Sequence, residues 1–305
     1  LMRITRALAG LVAAAAVLTL TALPAEAAGS QAISRCSPDG PYGSALVIAR
    51  NAHLTRNLTC DQGFVVASGA TLDLRGHTLK ALRDPDACFG SSCPGLPPGE
   101  RPPQLGIVLQ DGQVKNGRLD RWDVAVQLTS EAPTSGRSRT VSRMRITRSA
   151  IGLHASENPD VVHVVRSTFS KNGIGLGAGS TGGFVIDRSA FVDGTSSGVL
   201  LAESGDTSVT RSEFSRNRDT GFDHYDPYGT TTVVRSVFAR NGYNGLRIGG
   251  SDSNRDSVVR KNRAYRNGGH GMELTTEGGQ IVDKGGNRAW RNRTAPQCIG
   301  VVCRH

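Results

Sequence analysis

A right-handed parallel β-helix is the fold that this sequence predicts, and three observations carry the prediction. A tetrapeptide returns at steps of 22, 23 and 24 residues, a polar turn rich in Asn and Gly follows each copy, and a short glycine-led strand pattern follows each turn. The tetrapeptide reads R-S-T-F at 166–169, R-S-A-F at 188–191, R-S-E-F at 211–214 and R-S-V-F at 235–238. Looser copies place Asn262, Ala264 and Asn267, then Asn287, Ala289 and Asn292, in the columns of Ser236, Phe238 and Asn241. The strands begin at Gly152, Gly175, Gly198, Gly221, Gly245 and Gly271, and the residues after them (Leu153, Leu176, Val199, Phe222, Leu246, Met272) form one apolar column. Strands of three to five residues bury no face alone, but coils stacked about 4.8 Å apart bury a continuous core. The expected body is all-β, with roughly 8–10 coils of about 23–26 residues and disulfide-stapled ends. Helical solenoids are excluded by the glycine content and the lack of a 3.6-residue apolar period.

Taken in chain order, residues 1–27 read as a signal peptide: Arg3 and Arg6, an apolar run over 7–23, and a small-x-small cleavage site after Ala27. A secreted protein with no membrane attachment after cleavage follows. Residues 28–62 are expected as an N-terminal cap, 63–293 as the β-helix and 294–305 as a C-terminal cap. Within the helix, 83–104 is rich in Pro and Gly and reads as a long projecting loop. Six cysteines in an oxidising compartment favour disulfides over metal ligation. The pairing expected among 15 connectivities is Cys36 with Cys60, Cys88 with Cys93 and Cys298 with Cys303, because the last two pairs are local.

Losing Arg3, Arg6 and Glu26 takes the formal charge from +10 to +9, so the exported domain stays basic and an acidic polymer is the expected partner. The other reading is compositional bias toward arginine on a solvated surface. Nucleic acid is not expected, since export removes the chain from it and an aromatic content of 5% offers few stacking platforms. A monomer is expected.

Degenerate early coils appear at 71–79 (TLDLRGHTL), 106–109 (GIVL), 114–119 (VKNGRL), 124–128 (VAVQL) and 141–146. The first string, the VKNGRL coil and N-R-A-Y-R-N-G-G-H-G-M-E-L at 262–274 together resemble the pectate-lyase-like β-helix superfamily, over about residues 64–293. The resemblance implies the fold. It leaves function open, since that fold hosts lyases, hydrolases, epimerases, adhesins and phage spikes.

Side chains alternate along a strand, so the second residue after each glycine should face outward. That column reads Val108, Gln127, His154, Gly177, Leu200, Asp223, Arg247 and Glu273, which sets an acid, a guanidinium and an acid on successive coils about 5 Å apart. Beside it lies GFDHYDPYG at 221–229, with His224, Tyr225, Asp226 and Tyr228, and His270 arrives from the next turn but one. Proton transfer at a sugar carbon needs a base, an acid and a cation against enolate-like charge, roles that His, Tyr and Arg fill. Asp223, His224, Tyr225, Arg247, His270 and Glu273 are the candidate catalytic set. GFDHYD is also similar to the Gly-apolar-Asp-Pro-His segment of the mannuronan C5-epimerases, which implies that Asp223 matches that family's aspartate. The sequence departs from it in that His224 follows Asp223 directly and Thr220 stands where tyrosine is expected.

Candidate substrate-binding residues are His154, Asp226, Tyr228 and the arginine column Arg166, Arg188, Arg211 and Arg235, continued by Lys261. Like charges about 5 Å apart repel by roughly 1 kcal/mol even in water, so such a column favours an anionic counterpart. No cofactor or resident metal is expected; Ca²⁺ bridging a carboxylated sugar to Asp223 and Asp226 is the one metal role considered. A second reading stands beside the enzyme. Alternation sends His224 inward with Ala155, Ala178, Leu201, Ile248 and Leu274, and Asp223, Arg247 and Glu273 would form a salt-bridge ladder worth under about 1 kcal/mol per pair. The protein would then be a non-catalytic extracellular carbohydrate-binding or structural solenoid.

Overall fold

The structure is a computed structural model that describes residues 29–37, 45–85, 103–129, 138–158, 160–250 and 255–304. The expected leader, Cys88, Cys93 and most of the 83–104 loop lie outside the described residues. These residues contain no helix; 28 strands pair in one continuous wound sheet of about ten turns. Each coil contributes three strands, as in Ile151–Ser156, Val161–Val165 and Thr168–Ser170, after which the chain enters the next coil at Ile174. Every pairing is parallel and joins equivalent strands of neighbouring coils: Ile151 with Ile174, Val162 with Phe184, Thr168 with Ala190. These three stacks are called here the first, second and third sheets.

The repeated tetrapeptide explains the third sheet and one of its corners. Its phenylalanine points inward, and Phe169, Phe191, Phe214 and Phe238 stack with centroid separations of 4.6, 5.3 and 5.1 Å. Its arginine turns the corner in the left-handed conformation, with φ of 49° at Arg166, 49° at Arg188, 50° at Arg211 and 55° at Arg235. That conformation costs a residue with a Cβ of order 1 kcal/mol. The following serine offsets the cost: Ser189, Ser212 and Ser236 each accept the backbone N–H of the ladder residue one coil earlier, at 3.1–3.2 Å. A second ladder closes the other corner of the third sheet. There Asn241, Asn267 and Asn292 accept both the N–H and the side-chain amide of the preceding Asn, at 2.9–3.1 Å.

The glycine column is required by close approach. A Cβ at Gly221 would lie 2.6 Å from the carbonyl oxygen of Gly245 and 2.7 Å from the Asn241 side chain. The wound sheet also runs past the stretch where the tetrapeptide is visible. Gln31–Ile33 pairs with Ala52–Leu54 and Leu46–Ile48 with Phe64–Val66, so strands of the same wound sheet occupy the segment expected as a cap. At the other end Cys298 and Ile299 pair with Met272 and Glu273. The expected disulfides Cys36–Cys60 and Cys298–Cys303 staple the two ends.

Candidate functional site

The first sheet aligns the predicted polar column. Gln127 pairs with His154, His154 with Gly177, Gly177 with Leu200, Leu200 with Asp223, Asp223 with Arg247 and Arg247 with Glu273. The strand Phe222–Tyr225 alternates, so Asp223 and Tyr225 share the outer face while Phe222 and His224 face the core. Arg247 sits between its neighbours: one guanidinium nitrogen is 3.5 Å from Asp223 Oδ2, and the guanidinium carbon is 5.9 Å from the centre of the Tyr225 ring.

Asp223 is outward-facing yet only 8% exposed, and its Oδ1 has no hydrogen-bond partner. Burial pushes its carboxyl up to about 6; Arg247 pulls it down, while Asp219 and Glu273 push it further up. A carboxylic acid desolvated beside a cation, with one oxygen left over, is a group held in readiness for a ligand hydroxyl or a proton. Two rungs on, Glu273 accepts a hydrogen bond from the side-chain amide of Asn244, whose own carbonyl oxygen accepts the His270 backbone N–H at 2.7 Å. His270 Nδ1 lies 2.7 Å from the carbonyl oxygen of Pro296, and only a protonated Nδ1 can donate there, so in the neutral ring Nε2 carries the lone pair. Asn244 was not singled out from the sequence. The available signal was its place in RNGYNG, immediately before the column glycine and one coil ahead of His270.

His224 has to be taken out of the substrate-facing set. It is 0% exposed, its Nδ1 is 2.9 Å from Thr231 Oγ1, and burial pushes its pKa down to about 4 against a small opposing effect of the Ser204 backbone. The physical reason is the strand period: a residue next to an outward aspartate points inward. In that place His224 fixes the strand from below.

The other predicted binding residues lie apart from this cluster. His154 shares the column but stands three rungs earlier, roughly 14 Å away at β-ladder spacing. There it is 7% exposed, hydrogen-bonded to Gln127 at 3.0 Å, and burial lowers its pKa. Arg166, Arg188, Arg211 and Arg235 occupy the corner between the second and third sheets, away from Asp223 on the first. Two of them are partly neutralised by Asp187, which receives Arg211 at 2.6 Å and approaches Arg188 at 3.8 Å. A depression of about 290 Å³ runs along this corner, lined by Lys115, Arg143, Arg166, Arg188 and Asp187. Asp226 turns the chain at φ 46°, and Tyr228, half exposed, donates its hydroxyl to the Thr181 carbonyl. Among the described residues, no three His, Cys, Asp or Glu side chains come together as a metal site.

Comparison with solved structures finds the periplasmic alginate epimerase AlgG, similar at 12% identity with a TM-score of 0.53, over 75% of this chain and 58% of that one. Two variants of the same epimerase align over 75% of this chain at 12% and 9% identity, with TM-scores of 0.43 and 0.40, covering 58% and 60% of their lengths. The chain thus spans less than two thirds of those proteins, and at this identity the likeness is one of fold. No curated protein matches the chain. Residues 134–293 match the family described as right handed beta helix region. That match takes in more than half of the chain and coincides with the tetrapeptide repeat and its two ladders, so the protein belongs to the right-handed β-helix family.

Proposed function

We propose that this protein is exported, that it binds an acidic polysaccharide across the first sheet, and that it acts on a uronate unit there as an epimerase or a lyase. The observation that carries the proposal is the outer column Asp223–Arg247–Glu273, in register on consecutive rungs, with Asp223 desolvated and one of its oxygens unpartnered. The presence of an alginate epimerase among structures of the same fold supports the choice of substrate class.

In this scheme Arg247 receives the uronate carboxylate. His270 Nε2 takes the proton from the carbon that bears the carboxylate, and the C–H electron pair moves into the carboxylate as enolate charge, which Arg247 stabilises. Return of a proton from Tyr225 to the opposite face inverts the carbon and completes epimerisation. Elimination is the alternative outcome: the glycosidic C–O bond on the neighbouring carbon breaks, a carbon–carbon double bond forms, and the leaving oxygen takes the proton. Asp223 holds a sugar hydroxyl, and Glu273 is oriented by Asn244. Export is supported by the leader pattern and by two disulfides of the kind that oxidising compartments maintain.

A non-catalytic binding or structural role is favoured by a different observation: Asp223 already meets Arg247, and Glu273 already meets Asn244. One experiment separates the two. The purified protein is incubated with pectate, alginate and hyaluronan, with and without Ca²⁺, while ultraviolet absorbance reports unsaturated uronate ends and proton NMR reports inverted residues. A signal abolished in Asp223→Ala and in Arg247→Ala is the expected result. Silence in both readouts on every acidic polymer would replace the enzyme with the binding or structural role.

A further inference from the structure

The third sheet ends in a cluster of cations that no acid among the described residues neutralises. Its last three strands are Val237–Ala239, Arg263–Tyr265 and Arg288–Trp290, paired in register, with Arg304 making a single parallel bridge to Arg288 beyond them. Their corners carry Arg235 and Lys261 on one side and Arg240, Arg266 and Arg291 on the other, all in the left-handed conformation, and Arg263 and Arg288 project between them. All seven cations are exposed, and among the described residues none forms an ion pair or a side-chain hydrogen bond. The earlier rungs differ. There acids from the same face and its edges meet the corner arginines: Asp120 with Arg148 at 2.6 Å, Asp187 with Arg211 at 2.6 Å and Asp193 with Arg216 at 2.6 Å. No Asp or Glu occurs at 234–250, at 257–272 or after Asp283. Rungs about 4.8 Å apart place these like charges close enough to repel.

Tyr265 and Trp290 stand on adjacent rungs in the middle of this patch, stacked at 4.7 Å and 15°. The same pentapeptide pattern, Arg-Ala-aromatic-Arg-Asn, builds both rungs at 263–267 and 288–292. We infer that this end of the third sheet is a second binding surface, separate from the Asp223 column, that grips the carboxylates of a long acidic polysaccharide. The inference shares its partner class with the proposed function and does not depend on that function's chemistry.

Three features favour this partner. Guanidinium forks on a flat, evenly spaced array match planar carboxylates in bidentate fashion. The two rings spend one face each on the other, which halves the platform open to nucleobases. The large apolar side chains exposed among the described residues are Leu82, Val161, Tyr228, Tyr243 and Val302, and none lies on a strand of this sheet, so this face presents no fully exposed apolar side chain to a lipid surface. The ladder behind the patch is rigid, so the array is set before the polymer arrives.

The test compares the unaltered protein with a variant carrying Arg263→Gln, Arg266→Gln, Arg288→Gln and Arg291→Gln, and with Arg247→Gln. Anisotropy of end-labelled polygalacturonate and polymannuronate reports polymer binding, NMR reports turnover of uronate trimers, and circular dichroism and melting confirm folding. The fourfold variant is expected to bind either polymer at least about tenfold more weakly, with a shallower salt dependence, because four counterion-releasing contacts are gone. Trimer turnover should be unchanged. Loss of polymer binding with no turnover in any protein would leave this inference standing and remove the enzymatic one. Polymer binding intact in the fourfold variant and abolished in Arg247→Gln would overturn the inference, as would binding by neither protein. Tighter binding of single-stranded DNA or phosphatidylglycerol vesicles than of either polyuronate would overturn the choice of partner.

Discussion

Replacing Asp223 with Asn should stabilise the protein at alkaline pH, by an amount that the site itself sets. Burial moves this carboxyl from 3.8 to about 6, so the ionised form costs the folded state about 3 kcal/mol at 1.36 kcal/mol per pH unit. Below pH 3.8 the group is protonated in both states and the cost is absent. Between there and about 6 the folded state holds the extra proton, so stability falls as pH rises, and above 6 the full cost is present. Asparagine keeps the size and removes the charge. The attraction to Arg247 is already contained in the value of about 6, so giving it up subtracts nothing further from that figure. Urea unfolding followed by circular dichroism at pH 3.5 and pH 8 should show the Asn variant more stable by about 1–3 kcal/mol at pH 8, with no difference at pH 3.5 and unchanged slopes. An Asn variant less stable at pH 8, or an offset of the same size at both pH values, would refute the reasoning: the carboxylate would then be held by its partners instead of penalised by burial.

His224→Leu should remove an acid sensitivity of the opposite sign. With a folded pKa of about 4 against 6.5 for the free side chain, His224 contributes stability that is full above 6.5 and lost as pH falls through that window, about 3 kcal/mol in all. The drop in unfolding midpoint between pH 7 and pH 4 should therefore shrink in the variant, at the expense of an unpaired Thr231 hydroxyl. Asn267→Ala should destabilise the fold by about 2–3 kcal/mol, because it strands the Asn241 N–H, takes one of the two acceptors of the Asn241 side-chain amide (the Phe214 carbonyl remains) and removes the side-chain donor to the Phe238 carbonyl. Ser212→Ala, which strands the Ser189 N–H but leaves the Thr210 carbonyl its Arg188 N–H, should cost less in the same urea titration.

The later coils were legible because one physical demand writes the same residues into each turn. A buried phenylalanine, a ladder serine or asparagine and a glycine under a carbonyl oxygen are each nearly irreplaceable there, and a strand period of two fixes every face once one column is known. The register of Asp223, Arg247 and Glu273 followed from that, and so did the inward place of His224. The first rungs were not legible, since Gln31–Ile33 and Leu46–Ile48 carry neither tetrapeptide nor ladder. The corner conformation of Arg166 and its column was hidden too, because arginine has no intrinsic preference for positive φ and adopts it only where the ladder holds the turn. The role of Asn244 could not be read from its type, since turn asparagines in this chain mostly serve the ladder.

The two faces depart from good folding practice in different ways, and the difference bears on what each can do. On the first sheet a single acid is dehydrated and left with a spare oxygen, a local cost that makes sense where one small group is to be engaged with precise placement. On the third sheet seven cations crowd three rungs with no acid among them, a diffuse cost of the kind that an extended anion relieves. Earlier rungs show the alternative, where Asp120, Asp187 and Asp193 meet Arg148, Arg211 and Arg216. Because each rung is tied to the next through backbone and ladder, both departures are carried by the stack as a whole instead of by the residues that cause them. A polymer chain held at the end of the third sheet and a unit of it engaged at Asp223 would draw on the same rigid ladder, with binding strength and chemistry tunable apart.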